Sequence, residues 1–249
     1  MIRQFAVENM RRLLNIVEYP ELVSSLMSGA NRDFMKDLLY LKKVLGLSFR
    51  TIIDVGAAVG EYSYAALEVF PEASLFAFEP IPENMMQIRE KLKKKRMVYS
   101  YEMALDNRNV KSVFHRNEFS FSSSLLPMTN IHKKLFPHTT NETDITVQCS
   151  RFDSLAMIDM KGPILVKIDV QGAELRVLEG FGDRLKNIDA VQAEVNFKPF
   201  YSGQVEPREL IDFLASRGFS IFLERSIQFD PSSKRPLFAD LVFLREESA

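Results

Sequence analysis

The chain has 249 residues, of which 46% are hydrophobic and 26% charged, so it can fill a sizeable core and bulk disorder is excluded. Its formal net charge of -1 gives no global field to draw it onto nucleic acid or an anionic membrane. The lone Cys149 excludes an internal disulfide and suits a reducing, cytoplasmic compartment; no apolar run nears the ~20 residues of a membrane span, and Glu8, Arg11 and Arg12 break the start where a signal peptide is apolar.

Met10, Leu13, Leu14 and Val17 fall on one stripe at helical spacing, and Pro20 interrupts that helix. A second helix is predicted after Asn31, a good N-cap, with Phe34, Leu38, Leu41 and Leu45 facing inward and Gly46 just past its end. Residues 1–50 therefore read as a helical extension, placed either to cover an acceptor site or to form a homodimer contact. From residue 51 to 249 the pattern is that of an α/β domain. Strand-like runs at Thr51–Val55, Ser74–Glu79 and Met97–Leu105 alternate with helical stretches at Glu61–Phe70 and after Pro82. Strands that are apolar on both faces predict a parallel sheet covered by helices.

Residues 106–150 interrupt the alternation with turn residues and short extended pieces, Lys111–His115 and Ile145–Cys149, and read as an insertion of hairpins and loops. The alternation resumes with a strand at Pro163–Asp169, a helix at Ala173–Glu179 closed by Gly180, a strand at Ala190–Val195 and a helix at Pro207–Arg217. Two last strands, Phe219–Glu224 and Ala239–Leu244, are joined by a non-helical connection with the turn signal Asp230-Pro231-Ser232-Ser233, which predicts an antiparallel hairpin. The expected architecture is a Rossmann-like sheet of about seven mostly parallel strands ending in that hairpin.

The loop Asp54-Val55-Gly56-Ala57-Ala58-Val59-Gly60 joins the first strand to the first helix, where open α/β sheets bind ligands. Its small residues let a cofactor approach the backbone. Glu79, at the end of the next strand, is placed to accept hydrogen bonds from two ribose hydroxyls. The G-x-G-x-x-G and G-x-x-x-x-G-K-[ST] fingerprints are both absent. Asp54 ahead of the glycine disfavours a phosphate and suits a cation, so S-adenosylmethionine, with its ammonium and sulfonium, fits better than a dinucleotide.

The runs IIDVGAAVGEYS, FAFEP, VKIDVQGAELRVLEGF and AVQAEVNF, in that order, resemble the FkbM-type methyltransferases over roughly residues 51–245. The resemblance implies a class I, S-adenosylmethionine-dependent O-methyltransferase acting on a hydroxyl of a sugar, glycan or small metabolite. Carried onto this chain, it implies a cofactor loop of Asp54, Gly56, Ala57 and Gly60, with Glu79 on the ribose and Asp106 near the adenine. The chain departs from the family's usual pattern at Ala58, where Asn is common, and at Gln171, where Glu is usual.

Asp169 ends the fourth strand, on the same face as Lys167, and Glu194 lies near the end of the fifth. Methyl transfer to a hydroxyl needs an aligned acceptor and a group to take its proton. Asp169 and Glu194 are the candidates for that role; the alternatives are a helix cap or cofactor contact for Asp169 and a structural hydrogen bond for Glu194. Asp169, Glu174 and Glu194 could gather oxygen ligands for Mg²⁺, but their spacing does not demand it, and no metal site is expected. His115, His132 and His138 lie in the insertion, where a histidine could act as a base once the loops close. Ser122-Ser123-Ser124 reads as a turn approaching the cofactor or acceptor, and Phe197, Phe200 and Tyr201 as a possible acceptor wall. Two rival functions remain open at this level, a nicotinamide-dependent oxidoreductase and a non-catalytic scaffold with the methyltransferase fold. Nucleic acid is not an expected partner.

Overall fold

Asn31 accepts hydrogen bonds from the amides of Asp33 and Phe34, and so starts α1, Arg32–Leu45. Gly46, left-handed at φ 63°, ends it, as the sequence predicts. The computed structural model describes Leu22 and residues 30–156 and 158–246; the helix expected at Met10–Val17, and any dimer contact through it, lies outside them.

The remaining major helices are α2 (Glu61–Val69), α3 (Pro82–Leu92), α4 (Asn130–Leu135), α5 (Glu174–Phe181) and α6 (Pro207–Ala215). The strands are β1 (Thr51–Val55), β2 (Ser74–Phe78), β3 (Val98–Tyr101), β4 (Ala104–Leu105), β5 (Val110–Asn117), β6 (Glu142–Ser150), β7 (Ile164–Ile168), β8 (Ala190–Asn196), β9 (Phe219–Phe229) and β10 (Pro236–Arg245). Seven of them form one sheet in the order β3-β2-β1-β7-β8-β10-β9. The first five are parallel, and β10 runs antiparallel between β8 and β9.

Strand order reverses between β1 and β7, which makes that pair the topological switch point. All five residues of each strand are buried, because both faces of the sheet are covered. One core packs Val166, Val177, Phe181 and Leu214 on one face; the other packs Met35 and Leu38 of α1 against Tyr62, Ala65 and Ile88. Helix α1 thus shares a core with the sheet and its covering helices.

Several boundaries differ from expectation; the hairpin strands, for one, run longer than expected, to Phe229 and from Pro236. The predicted third strand breaks in two: the chain turns at Met103, and β4 leaves the main sheet to pair with β6. The insertion holds a long antiparallel pair, β5 with β6, where shorter pieces were expected. It is also pinned down, since Ser124 Oγ donates to the Gln171 carbonyl at 2.7 Å and Thr129 Oγ1 to the Pro199 carbonyl at 2.7 Å. Finally, α5 runs through Gly180 to Phe181, and Gly182 caps it. Gly180 serves a close approach: a Cβ there would lie 2.2 Å from the Asp106 carbonyl oxygen.

Candidate active site

The β1–α2 loop turns on Gly56, left-handed at φ 76°. A Cβ at Gly56 would sit 2.0 Å from the Asp169 carbonyl oxygen, so only glycine lets the two strand ends lie side by side. The loop spends its amides inside the protein. Gly56 and Ala57 both donate to the Phe78 carbonyl, at 3.0 and 3.1 Å, and Gly60 donates to Ala57 at 2.8 Å. Ala58, left-handed at φ 47°, donates to Glu79 Oε2 at 3.0 Å. None of these four amides is left to cradle a phosphate.

Glu79 also accepts from the Ile81 amide at 2.9 Å and from Asn84 Nδ2 at 3.3 Å. Burial pushes its pKa up to about 7 against these bonds. The three donors fix its carboxylate at the carboxyl edge of β2, with two on Oε1 and one on Oε2, so Oε2 has a further lone pair to offer.

Asp54 and Lys167 face each other in register across β1 and β7. Asp54 is fully buried; its Oδ2 takes the Ser63 hydroxyl at 2.6 Å and its Oδ1 lies 3.5 Å from Lys167 Nζ. That Oδ1 has no hydrogen-bond partner. Lys167 Nζ also lies 3.4 Å from Asp169 Oδ2 and donates to the Gly56 carbonyl at 3.2 Å. Burial pushes the Lys167 ammonium pKa down, but Asp169, Asp54 and Asp240 more than offset it, and Lys167 stays a cation.

Beyond Asp169 the chain makes a left-handed turn at Gln171, φ 58°, and Gly172, φ 97°. Gln171 Nε2 donates to Asp169 Oδ1 at 2.8 Å and lies 3.4 Å from Glu194 Oε1. Glu174 closes the turn by accepting from the amides of Val170 and Gly172 at 3.2 and 3.0 Å. Burial raises the Glu174 carboxyl pKa to about 7. Burial, then Asp169, Glu174 and Asp240, push the Glu194 carboxyl well above its ordinary value.

An open cleft of about 510 Å³ lies over the ends of β1 and β7. Gly56, Ala57, Glu79 and Asp169 line it, as do Lys167 and Gln171. An adjoining apolar cavity of about 340 Å³ shares Gly56, Phe114 and Ser123, and is walled by Phe78, Pro80 and Leu105. Among the described residues lining the larger cleft, Lys167 faces three carboxylates, Glu61, Glu79 and Asp169, so the lining suits a cationic ligand and disfavours a polyanion.

The other expected site residues stand apart from the cleft wall. Asp54 lies behind it, under Lys167. Gly60, φ 77°, starts α2 and packs against Ile88. Glu194 lines a separate small cleft with Glu174 and Asn196. Asp106, expected near an adenine, is fully buried and takes two bonds from Arg176, at 2.7 and 2.6 Å. Of the expected aromatic wall, Phe200 and Tyr201 are turned inward and buried, and Phe197 does not line the cleft. The aromatic lining comes instead from Phe34 on α1, Tyr62 on α2, and Phe114 and Phe121 in the insertion, beside Ser120 and, from the serine turn, Ser123. None of the three histidines lines the cleft: His115 bonds Asp144 at 2.7 Å, His138 packs on Phe119, and burial lowers the His132 pKa to about 4.

This strand order, with an acid-lined cleft at its switch point, defines the class I methyltransferase fold. The methyltransferase FkbM domain matches residues 54–221, and the chain belongs to that family of methyltransferases. It is similar to the 2-O-methyltransferase NoeI of Sinorhizobium fredii, 27% identical over 187 residues that cover 72% of this chain and 76% of the relative. It is also similar to the hexuronic acid methyltransferase AglP of Haloferax volcanii, 25% identical over 217 residues covering 86% and 75% of the two chains. A crystal structure of a putative RNA methyltransferase from Pyrococcus horikoshii overlays with a TM-score of 0.46 at 16% identity, covering 85% of this chain and 82% of that one. Among the described residues no helix is long and apolar enough to cross a membrane.

Proposed function

We propose that this methyltransferase uses S-adenosylmethionine to methylate a hydroxyl of a sugar or glycan. The observation that carries the cofactor is the cleft's charge: three lining carboxylates, with Lys167 already shared between Asp54 and Asp169. That set fits a ligand bearing an ammonium and a sulfonium. The spent loop amides leave no seat for a pyrophosphate, which argues against the nicotinamide alternative.

Gly56 and Ala57 would hold the cofactor at the cleft floor, Glu79 its ribose hydroxyls, and the apolar cavity at Phe78, Pro80 and Leu105 its base. Asp54 would support this seat from behind through Lys167. S-adenosylmethionine, when bound, supplies a methyl group activated by the sulfonium charge. The chain's own task is then to orient the acceptor and remove its proton. Asp169, the half-exposed carboxylate in the cleft, is the group assigned to that proton. Glu194, which lines a separate cleft on the other side of Gln171, supports it rather than acting as a second base. Phe34 and Phe121 would flank the acceptor ring. The sugar reading is supported by the relatives, one described as a 2-O-methyltransferase and the other as a hexuronic acid methyltransferase.

Isothermal calorimetry with S-adenosylmethionine, S-adenosylhomocysteine and NADH tests the cofactor. Saturable binding of the first two, lost in Glu79→Ala, is expected; binding of NADH alone would overturn the reading. Labelled methyl transfer to a panel of methyl glycosides, including a methyl glucuronoside, tests the acceptor. Labelling of a simple phenol or catechol with no glycoside labelled would point to another hydroxyl class.

A further inference from the structure

We propose that Gln171 is a positioning residue, its side-chain amide locked by Tyr201 so that it holds the Asp169 carboxylate ionised and aimed into the cleft. This rests on the assignment of Asp169 as the group that takes the acceptor's proton.

The amide can point only one way. Carboxylate oxygens accept hydrogen bonds and cannot donate when ionised, so the end of Gln171 facing Asp169 must be the NH₂. Its other end, Oε1, receives the Tyr201 hydroxyl at 2.8 Å. Tyr201 is itself fixed, 2% exposed and packed with Leu126, Met128 and Leu237. Its hydroxyl also lies 3.2 Å from the Ser122 carbonyl, and its one hydrogen serves the shorter contact. Burial, then Glu194 and Asp169, raise the Tyr201 pKa, so the hydroxyl remains a donor. The backbone is held as well: the Gln171 carbonyl accepts Ser124 Oγ at 2.7 Å from the insertion. Two segments that are distant in sequence thus hold Gln171, one at its side-chain amide and one at its backbone.

The reason Asp169 needs this donor lies in its surroundings. It faces Lys167 on its own strand, with Asp54 of β1 behind that cation. Glu174 on α5, Glu194 on β8 and Asp240 on β10 act on the same pocket. One ammonium is shared among these carboxyl groups, and only an ionised, fixed carboxylate can accept the acceptor's proton. The Gln171 N–H at 2.8 Å favours the ionised form.

The test reads Asp169 directly. Aspartate ¹³C-carboxyl NMR, with the Asp169 signal assigned by its loss in Asp169→Asn, gives its titration midpoint without any acceptor. Gln171→Leu should raise that midpoint by about one pH unit or more, and Tyr201→Phe by a smaller amount in the same direction. If Gln171→Leu does not fold, Gln171→Asn, which withdraws the amide by one methylene, is titrated in its place. A midpoint unmoved in the folded variants overturns the proposal, whether or not any glycoside is methylated. Where the glycoside panel yields a substrate, the acid limb of kcat should move up with the midpoint while the acceptor KM stays within about twofold. A pH-independent loss of kcat would show a purely structural role and would also overturn it.

Discussion

Asp106 and Arg176 form a two-pronged ion pair, Nε to Oδ1 at 2.7 Å and Nη2 to Oδ2 at 2.6 Å, with the carboxylate fully buried. The pair ties the end of β4 to α5, whose Gly180 presses against the Asp106 carbonyl. Asp106→Ala leaves a guanidinium without its partner and should cost about 3 kcal/mol, the low end for a buried pair because Arg176 keeps some contact with water. Urea unfolding measures this. The cofactor Kd of the folded fraction should change by less than about twofold; a loss of about tenfold would return Asp106 to the adenine role that the family resemblance implies.

Gly56→Ala should weaken S-adenosylmethionine binding by at least about tenfold. The left-handed backbone costs a side chain ~1–2 kcal/mol, and the new methyl overlaps the Asp169 carbonyl. Calorimetry reads the loss. An unchanged Kd would mean that the loop is not the cofactor's seat.

Stability should fall as pH rises from about 4.5 to about 7. Glu174 titrates at 4.5 in its reference state and at about 7 in the fold, chiefly through burial. A raised folded pKa means that the folded state holds the proton longer, so its contribution is complete below 4.5 and is lost through about 7. Glu174→Gln removes that loss. At pH 8 the variant should be more stable than the parent by on the order of 1–3 kcal/mol, and the two should converge below pH ~4.5. Urea midpoints against pH measure both. Glu79 and Asp240, raised the same way, leave a residual slope in the variant.

Phe121 is half exposed and packs at a tilt against Phe119, with ring centroids 5.4 Å apart, at the cleft's edge. Phe121→Ala should raise the acceptor KM by ~5–30-fold, equivalent to ~1–2 kcal/mol of lost aromatic contact, with a smaller change in kcat. Steady-state kinetics on the best glycoside separates the two. An unchanged KM would place the acceptor elsewhere in the cleft.

What the sequence made legible was local. Asn31 and Gly46 bound a helix because caps depend on neighbours within a few residues. Gly56 and Glu79 stand at strand ends because strands end where glycine and acid interrupt an apolar run. What escaped reading was set by packing between distant segments. Phe34 reaches the cleft because α1 lies against α2, with Asn31 Nδ2 donating to Glu61 at 2.9 Å. Phe121 reaches it because the insertion is pinned to the turn at Gln171. The Phe200–Tyr201 pair looked like an acceptor wall from its place after β8, yet the insertion folds over it and seals it in. Gly180 looked like a helix stop, whereas its missing Cβ makes room for another segment's backbone.

The last strand of the sheet sits inside it, between β8 and β9. On a ribosome, β9 is synthesised before the strand it pairs with, and the outer edge of β8 stays bare until residues 236–245 emerge. A nascent chain stopped at residue 235 would display Ala190–Asn196, a mostly apolar strand, as an open template for another chain. The place of β10, one strand in from the sheet's edge, therefore makes the emergence of residues 236–245 the event that joins β9 to the rest of the sheet.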